Sequence, residues 1–559
     1  MRKLLLALSL AVPIVGAQAK DMTPVESRDL PSAKSMKSGP YDLPIITWGG
    51  DIATIHCSGN QHITQDGSIC KNEGLKFKLN REDVFENQLK KYISGSTPYL
   101  RGTMSMINMA AAAVKGNDDL TPVVFYQLTW SAGGDALVTK RDIKKVADLC
   151  GKTIVLNADG PHLYYAHKVL SDAGCDISNN KFVWTKDLTG TDDSPSEIFR
   201  AGNVDAAFVI IPDALALSSG GNVGDGSEDS VRGAHIMLST KTANRIIADV
   251  YAVRKDYFKR NLSEVENLAS ALFKSQDELT AIVKNKGKKY QSLLTSSAEI
   301  LLDAAGATAD AEGLLLDAEI AGFTQNVEFF QNTNNLRNFE KIVRESAAAV
   351  KDLGVIKSSG KIEKANFNYA QLASGATTQK KKKRFNKNKV ARIVEKRQQQ
   401  NSLDSGTIFE FEIFFQPNQN SFDKSLYEEK FNQVMEMAAT YAGAVITIEG
   451  HTDPLGYLRK KKANAQSFVL NQTKQSAKNL SLSRAQAVRN EIIDFGESKK
   501  IAVDESQFAV IGHGISMPKT GICGSDPCPP KTKQEWRSNM RVVFRIIQVE
   551  AEEDVFIAL

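Results

Sequence analysis

The sequence predicts a mixed α/β protein in which a two-lobed α/β unit precedes a smaller α+β domain. Three observations carry this reading. The 559 residues exceed what one hydrophobic core supports, since domains usually run to roughly 100–200 residues. From residue 44 to about 258, short strand-like runs alternate with helix-like runs in two successive sets, the pattern of α/β units. Beyond a block of basic residues, a further strand and helix alternation begins near residue 407. Apolar content of 42% and charged content of 24% are ordinary for a globular chain and exclude wholesale disorder.

The chain starts with Met1, Arg2 and Lys3, an apolar run from Leu4 to Gly16, and Ala17-Gln18-Ala19. This reads as a secretory signal, residues 1–19, with an A-x-A cleavage site. The run is too short for a bilayer span, which needs roughly 18 residues, and it contains Pro13. No later stretch is long and apolar enough to span, so the expected product has no transmembrane segment after signal removal. Cleavage takes away Arg2 and Lys3 and leaves 68 basic against 65 acidic residues, a net charge of +3. Global charge therefore selects no partner. Residues 20–40, punctuated by Pro24, Pro31 and Pro40, read as an extended leader without function.

The first lobe opens with Ile45-Ile46-Thr47-Trp48-Gly49-Gly50-Asp51, a strand running into a glycine turn. Leu75 to Leu79 reads as a strand, Val84 to Ile93 as a helix, and Val123 to Leu128 as a strand. Together they argue for a parallel α/β lobe. The second lobe, about 135–240, has the strand Thr153 to Leu156, then a loop through Gly160, Pro161 and His162. That loop opens a helix carrying Leu163, Ala166, Val169 and Leu170. Phe182 to Trp184 and Ala206 to Ile210 complete this lobe. Residues 258 to about 370 carry helical spacing, as in Val265, Leu268, Ala269, Leu272 and Phe273, and read as helices packing on lobe one. Gly220 to Gly226 lacks the Lys-Ser/Thr of a phosphate loop and reads as a surface turn.

A basic segment follows, residues 371–405, with Lys380 to Arg384 and then Lys387, Lys389, Arg392, Lys396 and Arg397. Such blocks are solvated linkers, mobile or partly helical, and export makes anionic wall polymer or lipid headgroups better partners than nucleic acid. The last domain, 406–559, begins with the strand Phe409 to Phe415 and a helix carrying Phe431, Val434, Met435 and Ala438. Val445, Thr447 and Glu449 alternate with Ile446 and Ile448 in a strand that ends at Gly450-His451-Thr452-Asp453. Ser483 reads as the cap of a helix that presents Arg484 and carries Ala487, Val488, Glu491 and Ile492. Phe508 to Ile511 and Arg541 to Ile547 complete a mixed sheet.

Six cysteines, Cys57, Cys70, Cys150, Cys175, Cys523 and Cys528, suit three disulfides in an oxidising compartment. Pairing of sequence neighbours is one of fifteen connectivities, and paired C-x-x-C spacing for zinc is lacking. H-E-x-x-H, G-x-S-x-G and metal-spaced Cys/His clusters are likewise lacking, and the seven histidines are scattered. Neither an enzyme, nor a resident metal, nor a cofactor is expected. His451 reads as a turn residue rather than a catalyst.

Two resemblances add to this. Asp148-Leu149-Cys150-Gly151-Lys152-Thr153-Ile154, Gly202-Asn203-Val204-Asp205-Ala206-Ala207 and Ala248-Asp249-Val250-Tyr251-Ala252-Val253-Arg254-Lys255-Asp256 stand in an order that resembles periplasmic solute-binding proteins of ABC transporters, in particular the taurine, sulfonate and nitrate-type group. The resemblance implies a bilobal domain over 41–370, hinge crossings near 128–136 and 238–248, a small anionic or zwitterionic solute, and a transporter permease as partner. The cleft, at strand ends and helix N-termini where free N–H groups favour anions, would be lined by Trp48, Gly49, Gly50, Thr103, Ser105, Trp130, Ser131, Gly160, Pro161, His162 and Asp213. Gly450-His451-Thr452-Asp453, Leu480-Ser481-Leu482-Ser483-Arg484-Ala485 and the strand at Arg541 resemble the OmpA C-terminal-like domain, which implies a β-α-β-α-β-β order and non-covalent anchoring to peptidoglycan. In that family Asp453 would take the ammonium and Arg484 the carboxylate of a diaminopimelate stem, assisted by Thr452 and Arg541. The segment Lys460 to Lys474, Ala477 and Met540 depart from the pattern. The reading is a secreted solute-binding protein held at the wall of a Gram-negative-type envelope. The rivals are an envelope interaction protein with a degenerate cleft, and a biosynthetic enzyme on the same bilobal fold, as in thiamine-precursor synthesis.

Overall fold

The computed structural model describes residues 22–37, 39–372, 384–400, 407–547 and 556–557. The signal, most of the basic run and residues 401–406 lie outside the described residues. Lobe one contains a parallel pair, β1 (Asp42–Ile45) with β2 (Lys78–Arg81), then helix α1 (Phe85–Ile93), β3 (Tyr99–Thr103), helix α2 (Met104–Ala113) and β4 (Pro122–Ser131). All ten residues of β4 are buried, as expected for a near-continuous apolar run covered on both faces. Lobe two holds β5 (Asp135–Thr139), β6 (Thr153–Asn157), helix α3 (His162–Asp172), β7 (Lys181–Thr185), β8 (Ala206–Ile210) and β9 (His235–Ser239), in the sheet order β7-β6-β8-β5-β9. The chain returns to lobe one through β10 (Ala248–Arg254).

That return corrects one expectation. Lobe one is not a parallel sheet: β10 enters between β3 and β4 and runs antiparallel to both, while β11 (Ala318–Ile320) adds antiparallel to β4. The cause is topological, since a strand arriving from the other lobe meets β3 and β4 from their far ends. β12 (Glu363–Lys364) pairs β4 in parallel.

The long helix α4 (Leu262–Asn285) buries Val265, Leu268, Ala269 and Leu272 on lobe one. Helix α5 (Phe339–Asp352) does more than the sequence suggests, because it packs between α2 and α3 and so joins the lobes. Asn108 donates to Ser346 Oγ at 2.9 Å. On the other side, Arg337 contacts the Tyr164 hydroxyl at 2.7 Å and Glu345 at 2.9 Å. The leader is equally engaged, against expectation. Val25 is buried and its N–H donates to Val355 O. The carboxylate of Glu26 accepts from the N–H groups of Lys357 and Ser358 at 2.9 and 3.1 Å.

The C-terminal domain begins earlier than the basic composition implies. β13 (Arg384–Phe385) pairs β18 (Phe556–Ile557), and helix α6 (Lys387–Gln399) buries Val390, Ile393 and Val394 against Val445 and Ile547. Its sheet has the order β14-β17-β15-β16, from β14 (Thr407–Phe414), β15 (Val445–His451), β16 (Phe508–Gly514) and β17 (Arg541–Ile547). Helices α7 (Glu428–Thr440) and α8 (Ser467–Ser498) cover one face, and α6 covers part of the other. Every residue of β15 is therefore buried. The departure at Lys460 to Lys474 forms a helix, Leu455–Lys462, and then the first turns of α8. Ser483 is consequently not a cap but a mid-helix residue, its Oγ accepting from Asn420 at 2.9 Å.

The C-terminal domain docks on the return crossing between lobes. Gly443 N donates to Thr242 O at 3.1 Å, Arg245 N donates to Thr440 O at 3.2 Å, and Tyr441 Oη donates to Asp172 at 2.9 Å. A Cβ on Gly443 would overlap the carbonyl of Lys241. Disulfides join Cys57 to Cys70 in lobe one, Cys150 to Cys175 across α3, and Cys523 to Cys528 in a short hairpin. The first two close loops of 13 and 25 residues, each worth about 3 kcal/mol in a chain-entropy treatment.

Candidate functional site

The two crossings meet in one buried polar knot. Asp135, at the start of β5, receives the Ser131 hydroxyl on Oδ2 at 2.6 Å, while His162 Nε2 lies 2.8 Å from its Oδ1. Thr240 Oγ1, on the return crossing, accepts the N–H groups of Gly133 and Asp135 at 3.0 and 3.1 Å. Asp135 thereby ties the end of β4, the return crossing and the first turn of α3. His162 Nδ1 is buried and has no hydrogen-bond partner among the described residues. The order of groups matters chemically. Ser131 donates to the carboxylate, not to the imidazole, so the set lacks the serine-histidine contact that activates a nucleophile.

Beneath the knot, Arg101 lies between Asp51 at 2.7 Å and Asp249 at 2.5 Å, all buried. Burial pushes both carboxyl groups upward, and the guanidinium pulls them back. Asp317, beside Gly133, has no such arginine. Burial holds its carboxyl at about 6, with Lys241 opposing and Asp135 adding to the rise.

The residues assigned to the cleft from sequence divide into groups. Ser131 and His162 join the knot. Trp48 is half-buried, donates from Nε1 to Thr129 Oγ1 at 3.0 Å, and lies so close to Gly134 that a Cβ there would strike its ring. Gly49 and Gly50 pack against the Leu314 carbonyl and Thr129, so their missing side chains are used by the protein itself. Trp130 sits in the core, edge-on to Phe329 with ring centroids 6.0 Å apart. Thr103 is the N-cap of α2, with Ser105 buried in the first turn. Pro161 is the N-cap of α3, while Gly160 abuts Asn157, whose Oδ1 accepts from Asp159 N at 3.2 Å. Asp213 stands apart, accepting from Thr189 Oγ1 at 3.1 Å, and burial raises its carboxyl. Most of the set is buried. A cavity of about 170 Å³ opens elsewhere, at the edge of lobe one between Asp42, Asn80, Gln88 and Thr97.

Sequence reasoning missed Arg28. Its Nη1 donates to Asp159 in lobe two at 2.7 Å and to Glu86 in lobe one at 3.3 Å, so the leader bridges the mouth of the cleft. Asp159 retains an unpartnered, buried Oδ1. Burial raises its carboxyl, and Arg28 opposes.

In the C-terminal domain, Thr452 N donates to Gly514 O at 2.9 Å, and Asp453 Oδ2 accepts from Leu455 N at 2.9 Å. Burial raises this carboxyl, opposed by the Leu455 backbone and by the side chains of Trp536 and Asn539. Arg484 is a buried guanidinium with carbonyl partners only: Gln419 at 2.8 Å, Gln416 at 3.0 Å and His451 at 3.2 Å, over the Phe415 ring at 5.1 Å. Desolvation without a carboxylate lowers its pKa to about 10. The structure thus brings Arg484 to the backbone two residues before Asp453. Arg541 is not part of that pair, because it lies on the other sheet face, 3.0 Å from Glu412. His451 is no turn residue either: it ends β15, buried, stacked on His513.

No protein-family model matches the chain, and no curated protein matches it. Among solved structures, the chain is similar to the periplasmic aliphatic sulphonate binding protein SsuA from Escherichia coli, at 15% identity and a TM-score of 0.40, covering 62% of this chain and 95% of that one. It is similar to the desulfurization enzyme DSZB at 12% identity and a TM-score of 0.36, covering 60% and 96%. A shorter likeness, 18% identical with a TM-score of 0.18 and covering 24% and 88%, is to the peptidoglycan-associated lipoprotein from Burkholderia pseudomallei.

Proposed function

We propose that this chain is an envelope solute-binding protein of the periplasm, closing two lobes on a small molecule while its last domain holds it to peptidoglycan. The observation that carries the reading is the knot at Asp135. It joins both crossings to the N-terminus of α3, so a ligand contacting α3 biases the same atoms on which lobe closure turns. Of the solute classes left open by sequence, a zwitterion fits best. The first turns of α2 and α3 favour an anionic end, and the unpartnered Oδ1 of Asp159 favours an ammonium. A permease would take the delivered solute. The wall reading rests on Arg484, a buried cation without a counter-ion whose guanidinium reaches the backbone two residues before Asp453. A diaminopimelate zwitterion supplies a carboxylate for Arg484 and an ammonium for Asp453.

The test has two arms. Thermal-shift screening of amino acids, aminosulfonates, simple sulfonates and nitrate should give a stabilising zwitterion, since a ligand binding only the folded state raises the melting temperature. Failure of every compound favours an interaction protein with a degenerate cleft, and turnover of one favours an enzyme. Sedimentation with purified peptidoglycan should be lost in Asp453→Ala, and undiminished sedimentation would end the anchoring reading.

A further inference from the structure

We infer that the C-terminal domain carries a divalent-metal site, suited to Zn²⁺, built by Glu449, His451 and His513. β15 and β16 run parallel, with Glu449 opposite Ile511 and His451 opposite Gly514. Strand alternation puts Glu449 and His451 on one face of β15, with His513 beside them from β16. One ligand atom from each residue lies within 4.8 Å of the other two, and all three residues are buried. The imidazole rings stack with centroids 4.9 Å apart. Tetrahedral zinc with bonds of about 2.0–2.1 Å needs ligand atoms about 3.3 Å apart, and two imidazoles with one carboxylate form a donor set it accepts. His513 Nε2 and Glu449 Oε2 already stand 3.1 Å apart, close to that spacing.

His451 separates this cluster from an ordinary buried polar network. It is 1% exposed, yet neither ring nitrogen has a well-formed hydrogen bond among the described residues. Buried polar atoms are nearly always satisfied, and the Met517 backbone near this ring answers for one nitrogen at most, so the other calls for a partner. Glu449 is already oriented as a ligand, since Thr447 Oγ1 donates to its Oε1 at 2.7 Å. Two cations flank the cluster, and each has a carboxylate on β14. Arg545 lies 3.3 Å from Glu410 as well as 3.4 Å from Glu449, and Arg541 lies 3.0 Å from Glu412. Their charge is largely compensated before an ion enters.

The full chain, stripped with a chelator and dialysed, should take up one equivalent of Zn²⁺ in a calorimetric titration at micromolar concentration. Zinc-edge X-ray absorption should show two imidazoles and an oxygen in the first shell. Losing an outer-shell partner of a metal ligand costs 10–100-fold in affinity, so losing a ligand should cost at least about 100-fold. His451→Ala and His513→Gln should each show that loss. His513→Gln retains a donor for Glu449 and so tests ligation apart from folding. Should both variants fail to fold, the absorption spectrum of the unaltered chain decides by itself. No zinc uptake, a first shell without imidazole, or affinity unchanged in the folded variants would overturn the site.

Discussion

Replacing Arg28 by alanine should release the closed form of the two lobes. The strap that carries Arg28 is tied to the body of lobe one through Val25, Glu26 and Lys34, whose N–H donates to Ile93 O at 3.1 Å. Its bond to Glu86 therefore survives opening, and only the 2.7 Å bond to Asp159 breaks. The three side chains are 11%, 27% and 20% exposed. A buried hydrogen bond between charged groups is worth about 1.5–3 kcal/mol and an exposed ion pair about 0–1 kcal/mol. At this partial exposure the latch contributes about 1–1.5 kcal/mol, a factor of about 5–13 in the ratio of closed to open molecules. Distances between spin labels on the two lobes, measured without solute, read that ratio directly. Arg28→Ala and Asp159→Asn should shift it toward the open form, whereas Glu86→Gln should leave it nearly unchanged. Equal shifts in all three variants, or none in Arg28→Ala with the fold intact, would refute the latch.

Three further outcomes follow from particular groups. Asp317 keeps its proton to about pH 6 in the folded chain but loses it near 3.9 when unfolded. The folded state therefore binds more protons in that window, and stability falls as pH rises through it. Asp317→Asn should match the parent below pH 4 and exceed it by about 1–3 kcal/mol above pH 6, measured by urea unfolding across pH; a constant difference would remove the assignment. Gly443→Val should push the C-terminal domain off the return crossing, seen as a larger radius of gyration in solution scattering, while sedimentation with peptidoglycan persists. Arg484→Met keeps the stem packed on Phe415 but removes the charge and the donor of three buried carbonyls, so it should lower the melting temperature and abolish wall binding in the still folded chain. Undiminished wall binding in that folded variant would make Arg484 a structural residue only.

What was legible in the sequence was what local pattern determines. The alternation in β15 separates Ile446 and Ile448 from Val445 onto opposite faces, as observed, because period-two burial needs no knowledge of partners; that the first pair faces the helices emerges only in the structure. Lobe one reads as parallel in the sequence because β10 reaches β4 from more than a hundred residues away, and no local signal announces it. Trp130 reads as a cleft residue on position alone, but its neighbour Phe329 comes from a distant helix. The basic segment illustrates the opposite error. Val390, Ile393 and Val394 stand at helical spacing within it, and composition masked a stripe that the pattern held. Ser483 misled for a physical reason: the preceding segment can itself be helical, so α8 runs straight through a residue that would otherwise cap it. The leader was dismissed because single residues such as Val25 and Arg28 carry its docking, and single residues have no periodicity.

If the last domain binds peptidoglycan as proposed, the position of Asp453 and Arg484 relative to the crossing limits how anchoring can act on solute capture. Docking on the return crossing is made by Thr440 to Gly443, just before β15 begins, and Asp453 follows directly where β15 ends. Seven residues of strand at about 3.3 Å each separate the two by about 20 Å. A peptidoglycan stem at Asp453 and Arg484 therefore leaves the crossing free of direct contact, so the anchor need not obstruct closure. The same strand is covered on both faces, and a strand packed in that way transmits displacement rather than absorbing it. Movement of the crossing on opening must then either slide past Gly443, whose missing side chain leaves the Lys241 carbonyl its place, or carry the whole anchored domain along. With that domain held as proposed, its Tyr441–Asp172 bond keeps lobe two beside it, and lobe one with its strap and latch becomes the part that moves away.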